Sequence, residues 1–319
     1  MKKLLTLLLA LAMVLSLAAC GGDKPSGDSG SSAPAADSQG SGSEDAGDAG
    51  DTEPDYASMS IDELKPLLKT AVDGTLTVAT SPDFAPYEFY AIDESGKPDL
   101  AGFDIALAGY VADYLGLELE FTPIDFDGVL MEVQTKSADL GMAGLSPDPK
   151  RMNIMDFTDI YYKGGQSFCC VQGNKDLFPD LESTNKSEYQ IGAQTGSIQV
   201  DLAQTNSPDA DLIQLAKVTD IIAELLAGKM DGAYIETAVA ESYAKNYPDL
   251  CIALDVPYDV SGSAIGVVKD NPALLAAVNL AIASALEDGS MDQFVAEANE
   301  LASGETYEGL LDAEGNVAE

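Results

Sequence analysis

The stretch Phe103-Asp-Ile-Ala-Leu-Ala-Gly-Tyr-Val-Ala-Asp-Tyr-Leu-Gly-Leu-Glu-Leu-Glu-Phe121 contains the unit from which this chain is built. Up to Leu115 its apolar side chains recur every three or four residues, which predicts a helix. Residues 117–121 then alternate between apolar and acidic, which predicts a strand. An earlier alternating stretch, Thr75–Thr80, predicts the strand before this helix. A helix between two strands indicates a parallel sheet.

The same alternation continues along the chain. Further strands are predicted at residues 139–143, 190–193, 211–215, 231–234 and 264–268. Further helices are predicted at residues 126–133, 197–203, 219–226, 236–245, 272–286 and 291–301. This is more than one small sheet accommodates, so we predict an α/β fold with two lobes. In such folds, ligands bind at the carboxyl ends of the strands.

Composition excludes several functional classes. The chain has 54 acidic and 16 basic residues, a net charge of -38, and no histidine. Nucleic acids and anionic lipid surfaces are bound by clustered lysine and arginine, so neither is an expected partner. Without histidine, the chain lacks the base of a Ser-His-Asp or Cys-His site and the commonest zinc ligand. No Cys-x-x-Cys spacing or EF-hand loop is present, and we predict neither a metal nor a cofactor.

The N-terminus has the layout of an export signal. Two lysines precede an apolar stretch at residues 4–15 that is too short to span a bilayer comfortably, and small residues follow. Leu17-Ala-Ala-Cys20 resembles the lipobox of bacterial lipoproteins, which implies removal of residues 1–19 and lipid attachment to Cys20. The alternative is an ordinary signal with a chance cysteine. Because residues 20–55 are rich in Gly, Ser and Asp, we expect a disordered tether outside a single, Gram-positive type of membrane.

Arg151 is the only arginine in the chain and follows Lys150 directly. A guanidinium group stays charged and binds a carboxylate through two parallel hydrogen bonds, so Arg151 is a candidate anion-binding residue. The alternative is a surface arginine that pairs with Asp148 or Asp156, as exposed ion pairs are common and contribute little.

Seven motifs follow one another in an order that resembles a known family. They are Thr80-Ser-Pro-Asp-Phe84-Ala-Pro-Tyr-Glu-Phe89, Gly102-Phe-Asp-Ile-Ala-Leu-Ala108, Phe126-Asp-Gly-Val-Leu130, Gly144-Leu-Ser-Pro-Asp-Pro-Lys-Arg151, Asp156-Phe-Thr-Asp-Ile-Tyr-Tyr162, Gln194-Thr-Gly-Ser-Ile-Gln199 and Gly228-Lys-Met-Asp-Gly-Ala-Tyr-Ile-Glu236. From Thr75 to Leu301 the chain resembles the extracellular solute-binding proteins of family 3, which are the amino-acid receptors of ABC importers.

This resemblance implies a two-lobe periplasmic-binding-protein-like clamp of type II. Each lobe would be a mostly parallel sheet flanked by helices, with a two-strand hinge between them. Lobe 1 would comprise residues 56–165 and 260–303, lobe 2 would comprise residues 166–259, and an acidic tail would follow at 304–319. The chain would cross between the lobes near residues 163–168 and 255–262. The resemblance also implies a monomer that delivers its ligand to an ABC permease and is not an enzyme.

The resemblance assigns ligand-binding roles to particular residues. Arg151 would bind the α-carboxylate with the backbone amides of Ser146 and Ile198, in the Ser197 to Gln199 segment that opens a helix. The ammonium group would bind the Ser146 hydroxyl, the Gly144 carbonyl and Glu236, where the family usually has aspartate. Without the resemblance, Ser197 is an ordinary helix cap and Glu236 an acid at a helix N-terminus.

The resemblance also locates the pocket for the ligand side chain. Phe84 and Phe126 would sandwich it, although either ring could equally belong to the core. Ser81 stands where several receptors for basic amino acids have an acid, and Gln194 is neutral. Because a buried charge without a partner costs several kcal/mol, we expect a neutral ligand, polar or aromatic.

Two other functions and the cysteines are open at this stage. A related sensor input is one alternative. The other is an exported cyclohexadienyl-type dehydratase that uses Glu236 as general acid. Adjacent Cys169 and Cys170 should face opposite sides of a strand. We expect both, and Cys251, to be buried apolar residues, with a bridge from Cys169 or Cys170 to Cys251 as the alternative.

Overall fold

A computed structural model describes residues 54–93, 95–260, 262–304 and 306–307. The predicted signal segment, Cys20, nearly all of the tether and nearly all of the tail therefore lie outside the described residues. Among the residues that are described, no single helix is long and apolar enough to cross a membrane. Only the last two helices taken together, which are bent by 77°, reach that length and composition.

The described residues form eight α-helices and fourteen strands, with short 3-10 turns between them. The helices are α1 (Ile61–Leu64), α2 (Phe103–Leu115), α3 (Phe126–Gln134), α4 (Ile198–Asn206), α5 (Val218–Leu226), α6 (Thr237–Asn246), α7 (Pro272–Glu287) and α8 (Ser290–Ala302). The strands are β1 (Thr75–Thr80), β2 (Asp83–Phe84), β3 (Glu88–Ile92), β4 (Pro98–Ala101), β5 (Glu118–Pro123), β6 (Leu140–Gly141), β7 (Met155–Phe157), β8 (Gln166–Val171), β9 (Gln190–Gln194), β10 (Asp211–Leu215), β11 (Gly232–Glu236), β12 (Leu250–Val256), β13 (Gly266–Val268) and β14 (Thr306–Tyr307).

Two five-stranded sheets organise these elements into two lobes. The first has the order β5-β1-β6-β13-β7 and the second the order β10-β9-β11-β8-β12. In each sheet three neighbouring strands are parallel, and the fourth is antiparallel to both of its neighbours. The antiparallel strand is the one that enters from the other lobe, β13 in the first sheet and β8 in the second. The predicted two-lobe α/β fold is therefore confirmed.

The two connections between the lobes run side by side. The backbone amide of Ser263 donates to the carbonyl of Tyr162 (2.8 Å), and the amide of Tyr161 donates to the carbonyl of Ser263 (3.0 Å). This antiparallel bridge is the two-strand hinge. It lies between β7 and β8 on one side and between β12 and β13 on the other.

Several strands of the structure were not predicted from the sequence. β7, β12 and the small sheet of β2, β3, β4 and β14 were not predicted, and the predicted strand at 139–143 is only Leu140–Gly141. Most of these strands are very short, so periodicity has little to detect. Their conformation comes from pairing, either with the next strand of the chain, as in β2 and β3, or with a distant one, as where Thr306 lies opposite Ala91.

Apolar packing supports both lobes. Leu107 of α2, Leu140 of β6 and Leu274 of α7 are fully buried in one cluster. In the second lobe the ring of Phe168 lies edge-on to those of Phe178 and Tyr234, with centroids 4.9 and 5.1 Å apart. The residues at the carboxyl ends of the strands are therefore held by rigid sheets.

Candidate functional site

Arg151 is buried and has no acidic partner. Its side chain is 7% exposed, and no carboxylate of the described residues lies within 4.0 Å of it. Its guanidinium donates to the carbonyls of Ser146 (3.2 Å) and Gly196 (3.3 Å) and lies 5.3 Å from the centroid of the Phe126 ring. Burial lowers the pKa of the Arg151 guanidinium. The alternative of a surface ion pair is wrong, because Arg151 is buried and pairs with neither Asp148 nor Asp156.

A small, nearly filled cavity of ≈ 10 Å³ lies beside Arg151. It is lined by Phe84, Phe126, Ala143, Gly144, Ser146, Arg151, Gln166, Gln194, Ser197, Ile198, Gln199 and Glu236. Several of these side chains stand at or directly after the carboxyl ends of β6, β9 and β11, where ligands of parallel sheets bind. Every predicted ligand-binding residue lines this cavity except Ser81, whereas Ala143 and Gln166 were not predicted.

Close packing shapes the loop from Ala143 to Ser146. Gly144 has a φ of +55°, and a Cβ on it would lie 2.7 Å from the Phe84 ring, so only glycine fits here. Its amide donates to Asp104 (3.0 Å), which also accepts a hydrogen bond from Tyr161 (2.6 Å). The carbonyl of Gly144 and the polar atoms of Ser146 are thereby held at the cavity wall.

The start of α4 forms another wall. Ser197 is the N-cap residue, but its hydroxyl donates back to the carbonyl of Gln194 (2.7 Å) instead of capping the helix. Gly196 before it has a φ of +76°. The first amides of α4 therefore donate no hydrogen bond to the cap side chain. A helix N-terminus with unsatisfied amides attracts anions.

Glu236 occupies the opposite side of the cavity, at the start of α6. Its carboxylate accepts hydrogen bonds from the amides of Val239 (3.0 Å) and Gly165 (3.3 Å), so it is a helix cap as well as a cavity residue. A Cβ on Gly164 would lie 2.6 Å from this carboxylate, which shows how tightly the hinge packs on it. The side chain is 3% exposed, and this burial raises the pKa of Glu236 to about 7.

Asp83 joins the two lobes and was missed by the sequence analysis. Its carboxylate accepts hydrogen bonds from the Ser81 hydroxyl (2.7 Å), the Gln194 amide (3.1 Å) and the backbone amide of Val218 (2.6 Å). Val218 begins α5, whose own N-cap residue, Lys217, makes no side-chain cap. Asp83 of lobe 1 therefore caps a helix of lobe 2. Burial raises the pKa of Asp83 to about 6.

This contact determines where Ser81 and Gln194 point. Ser81 is 1% exposed and directs its hydroxyl at Asp83, not into the cavity. Gln194 lines the cavity while its amide nitrogen also donates to the carbonyl of Ala216 (3.1 Å). The sequence signal for Asp83 was indirect. It is an acid inside the first motif, and α5 lacks a capping side chain of its own.

Polar and acidic groups complete the surroundings of the cavity. Gln199 of α4 donates to Gln166 of β8 (2.8 Å), and both line the cavity. Glu88 is fully buried outside it, and neither carboxyl oxygen has a hydrogen-bond partner within the described part of the chain. Burial raises the pKa of the Glu88 carboxyl well above its ordinary value.

Comparisons with known proteins agree with this architecture. Residues 76–298 match the family model of the bacterial extracellular solute-binding proteins, family 3. The arginine-binding extracellular protein ArtP of Bacillus subtilis is 30% identical over 205 residues, which are 61% of this chain and 75% of ArtP.

Solved structures are similar over most of their length. The amino acid ABC transporter substrate-binding protein AbpA of Streptococcus pneumoniae, bound to L-arginine, has a TM-score of 0.69 at 32% identity and covers 73% of this chain and 97% of its own. The ancestral amino acid-binding protein AncCDT-1, a precursor of cyclohexadienyl dehydratase, has a TM-score of 0.64 at 28% identity, over 74% and 98% of the two chains. Together with the two-lobe fold, the family match shows that this chain belongs to the bacterial extracellular solute-binding proteins of family 3.

Proposed function

We propose that this protein captures a free L-amino acid between its two lobes and delivers it to the permease of an ABC importer. The observation that carries the proposal is that Arg151 is buried and forms no ion pair with any described carboxylate, beside a cavity that Glu236 lines from the other lobe. A buried cation without a counter-ion is costly, and the carboxylate of a ligand would supply the missing charge.

The backbone of the ligand would be bound at both of its charged ends. Arg151 and the amides at the start of α4 bind the α-carboxylate, since fork-shaped donors and a helix N-terminus both favour an anion. The ammonium group binds Glu236, the Gly144 carbonyl and the Ser146 hydroxyl. A zwitterionic amino acid would thereby neutralise both the cation and the acid.

For the ligand side chain, we propose a neutral polar amino acid. Gln166, Gln194 and Gln199 line the cavity and offer amide groups but no charge. Asp83, the nearest acid behind Gln194, already accepts three hydrogen bonds. Arginine is the second candidate, because ArtP is an arginine-binding protein, AbpA is bound to L-arginine, and Asp83, which contacts Gln194, and Glu88 are buried acids. A cationic ligand would then have to recruit Asp83 away from its present donors.

Thermal unfolding against each of the twenty L-amino acids tests this proposal. The full chain is refolded first so that bound ligand is removed. A ligand at about 100 times its dissociation constant adds about 2.7 kcal/mol of stability, which shifts the midpoint clearly. We expect one or a few neutral polar amino acids to do so in the wild type and none in Arg151→Met. A shift with arginine alone would favour the second candidate, and no shift with any would refute an amino-acid receptor.

Catalysis is a second candidate function because of Glu236. A carboxyl with a raised pKa is partly protonated at neutral pH and is suited to general acid catalysis. The similarity to AncCDT-1 names the reaction to test. Phenylpyruvate formed from prephenate by the wild type and absent with Glu236→Gln would favour a dehydratase. We expect no turnover, because a bound ammonium group would hold Glu236 in its ionised form, in which it cannot act as a general acid.

We also propose that the protein is attached to the outer face of the membrane. It rests on the lipobox-like stretch that ends at Cys20. Cys20→Ala should release the exported protein from the membrane fraction into the medium. Retention of the variant on membranes would show that another segment anchors it.

A further inference from the structure

We propose that Cys170 and Cys251 form a reversible disulfide that staples strands β8 and β12 of the second lobe, and that Cys169 takes no part. The structure contains all three as free thiols. Strand register, sulfur separation and the different surroundings of the adjacent cysteines favour this pairing. It is independent of the ligand.

Strand register places the two cysteines opposite each other. β8 and β12 are antiparallel, and Cys251 is the direct partner of Cys170. Directly opposed residues of antiparallel strands have Cα atoms about 4.5 or 5.5 Å apart, and both values fall within the range of disulfides. The two sulfur atoms are 3.7 Å apart. They must approach by roughly 1.7 Å to reach bonding distance, which small side-chain rotations can supply.

Cys169 faces the other side of the sheet. Successive side chains of a strand point in opposite directions, and the packing follows this rule. Cys169 belongs to the large cluster that includes Ile235 and Val239, whereas Cys170 and Cys251 share the cluster around Phe168 and Tyr234. A bridge from Cys169 to Cys251 would require β8 to turn over. The alternation of side chains along β8 therefore determines that Cys170, and not Cys169, can pair with Cys251.

Access to solvent differs between the paired sulfurs. β12 is the edge strand of its sheet, and Cys251 is 9% exposed in a surface groove that Lys175 and Lys245 also line. Cys170 is fully buried, and burial raises its pKa to about 12. Since the thiolate is the reactive form, the bridge should form fastest while the exported chain is folding, before β12 covers Cys170.

The chemistry requires a small disulfide as oxidant, and oxidised glutathione is a suitable one. The Cys251 thiolate attacks one sulfur of glutathione disulfide, forms a mixed disulfide and releases one glutathione thiolate. Cys170 then attacks the sulfur of Cys251, which forms the protein disulfide and releases the second glutathione thiolate. The protein loses two electrons and two protons, and both glutathione molecules leave as thiols.

The bridge would enclose most of the second lobe. Every strand of the second sheet lies between or on the two cysteines, so the cross-link restricts the unfolded lobe strongly. Neither cysteine lines the ligand cavity. We therefore expect a higher midpoint of thermal unfolding in the oxidised form and an unchanged affinity for ligand.

Mapping the cysteines of the full chain tests the proposal. Wild-type protein is unfolded in urea, refolded in oxidised or reduced glutathione, denatured again, alkylated and digested. After oxidative refolding we expect one peptide pair linked through Cys170 and Cys251, lighter by about two mass units than the separate thiol peptides, and alkylation of Cys169. Full alkylation of all three after oxidative refolding, or a link that contains Cys169, would overturn the proposal.

Matched variants give a second readout. Cys169→Ala is the control, because it removes the neighbouring thiol and leaves the pair. Its unfolding midpoint should still rise on oxidation, whereas the midpoint of Cys251→Ala should not respond to the redox buffer. An equal response of Cys251→Ala and wild type would overturn the assignment. If Cys251→Ala fails to fold, the wild-type map decides alone.

Discussion

Binding of the amino acid should weaken about 30-fold when the pH falls from 8 to 5.5, because Glu236 must lose a proton to bind an ammonium group. Without ligand, burial raises the pKa of Glu236 to about 7. At pH 8 nearly all of the protein is in the ionised, binding form, whereas at pH 5.5 only about 3% is. The loss corresponds to about 2 kcal/mol of binding free energy.

The ionisation of Glu236 affects the stability of the ligand-free protein in the opposite direction: stability falls, not rises, as the pH increases. With a folded pKa of about 7 against 4.5 for the ordinary group, the folded protein holds a proton that the unfolded chain has lost. The contribution of Glu236 to stability is therefore complete below pH 4.5 and is lost as the pH rises through 7. Its full size is about 3 kcal/mol. A bound ammonium group offsets this loss, so the stabilisation by ligand should grow with pH.

Titration calorimetry between pH 5.5 and 8 is the assay, with the amino acid that gives the largest thermal shift. In buffers of different ionisation enthalpy, wild type should release close to one proton per ligand near pH 6. Glu236→Gln should bind more weakly at pH 8 and lose most of the pH dependence. Asp83 and Asp104 have pKa values of about 6 as well, so Asp83→Asn serves as the control that keeps the Glu236 response. An unchanged pH dependence in Glu236→Gln would refute the assignment.

Three further variants test the packing around the cavity. Asp83→Asn removes the charge that caps α5 from the other lobe, a loss of about 1 to 2 kcal/mol, so calorimetry should show ligand affinity reduced roughly 5- to 30-fold. The control Asp99→Asn, at an exposed position, should leave the affinity unchanged. Equal affinities of Asp83→Asn and wild type would contradict the role of this lobe contact. In urea unfolding, Gly144→Ala should lower the unfolding free energy by about 1 to 3 kcal/mol, since the φ of Gly144 is +55° and the new Cβ meets Phe84. In the control Gly109→Ala in α2 the new Cβ meets nothing, so this variant should be neutral or more stable by up to about 1 kcal/mol. Glu88→Met should raise the midpoint of thermal unfolding, because it removes a buried carboxyl that has no hydrogen-bond partner in the described residues. The rise should be larger at pH 9 than at pH 6, because burial disfavours the ionised carboxyl. A lower midpoint at pH 9 would show that the carboxyl is needed.

Local patterns in the chain were sufficient for most of the fold. The helix Phe103–Leu115 and the strand Thr75–Thr80 appear in the structure with the predicted bounds, because their apolar spacing is long and regular. β7 has three residues and β6 two, so their strand character depends on pairing and not on periodicity. Short paired strands therefore account for most of the missed elements.

Most residues that line the cavity were predicted from the sequence, but two were not and one predicted residue lies outside it. Motifs that resemble the family brought Arg151, Glu236 and both phenylalanines to attention, and all line the cavity. Ser81 was expected there as well, but its hydroxyl turns to Asp83. Gln166 and Ala143 stand in no motif position that carries an evident role, so only their location at the cavity reveals them.

The sequence by itself determined the alternation of helices and strands, the family and the single arginine, since these depend on residue types and on spacing over a few turns. Tertiary structure alone decided which groups meet across the lobes. Asp83 caps a helix that begins 135 residues later, and Cys170 rather than Cys169 lies opposite Cys251. Such contacts depend on sheet register and on how the lobes close. Neither sheet register nor lobe closure produces a periodic pattern of residues in the sequence. A hydrogen bond between distant residues constrains only the two positions that form it, not the pattern around them.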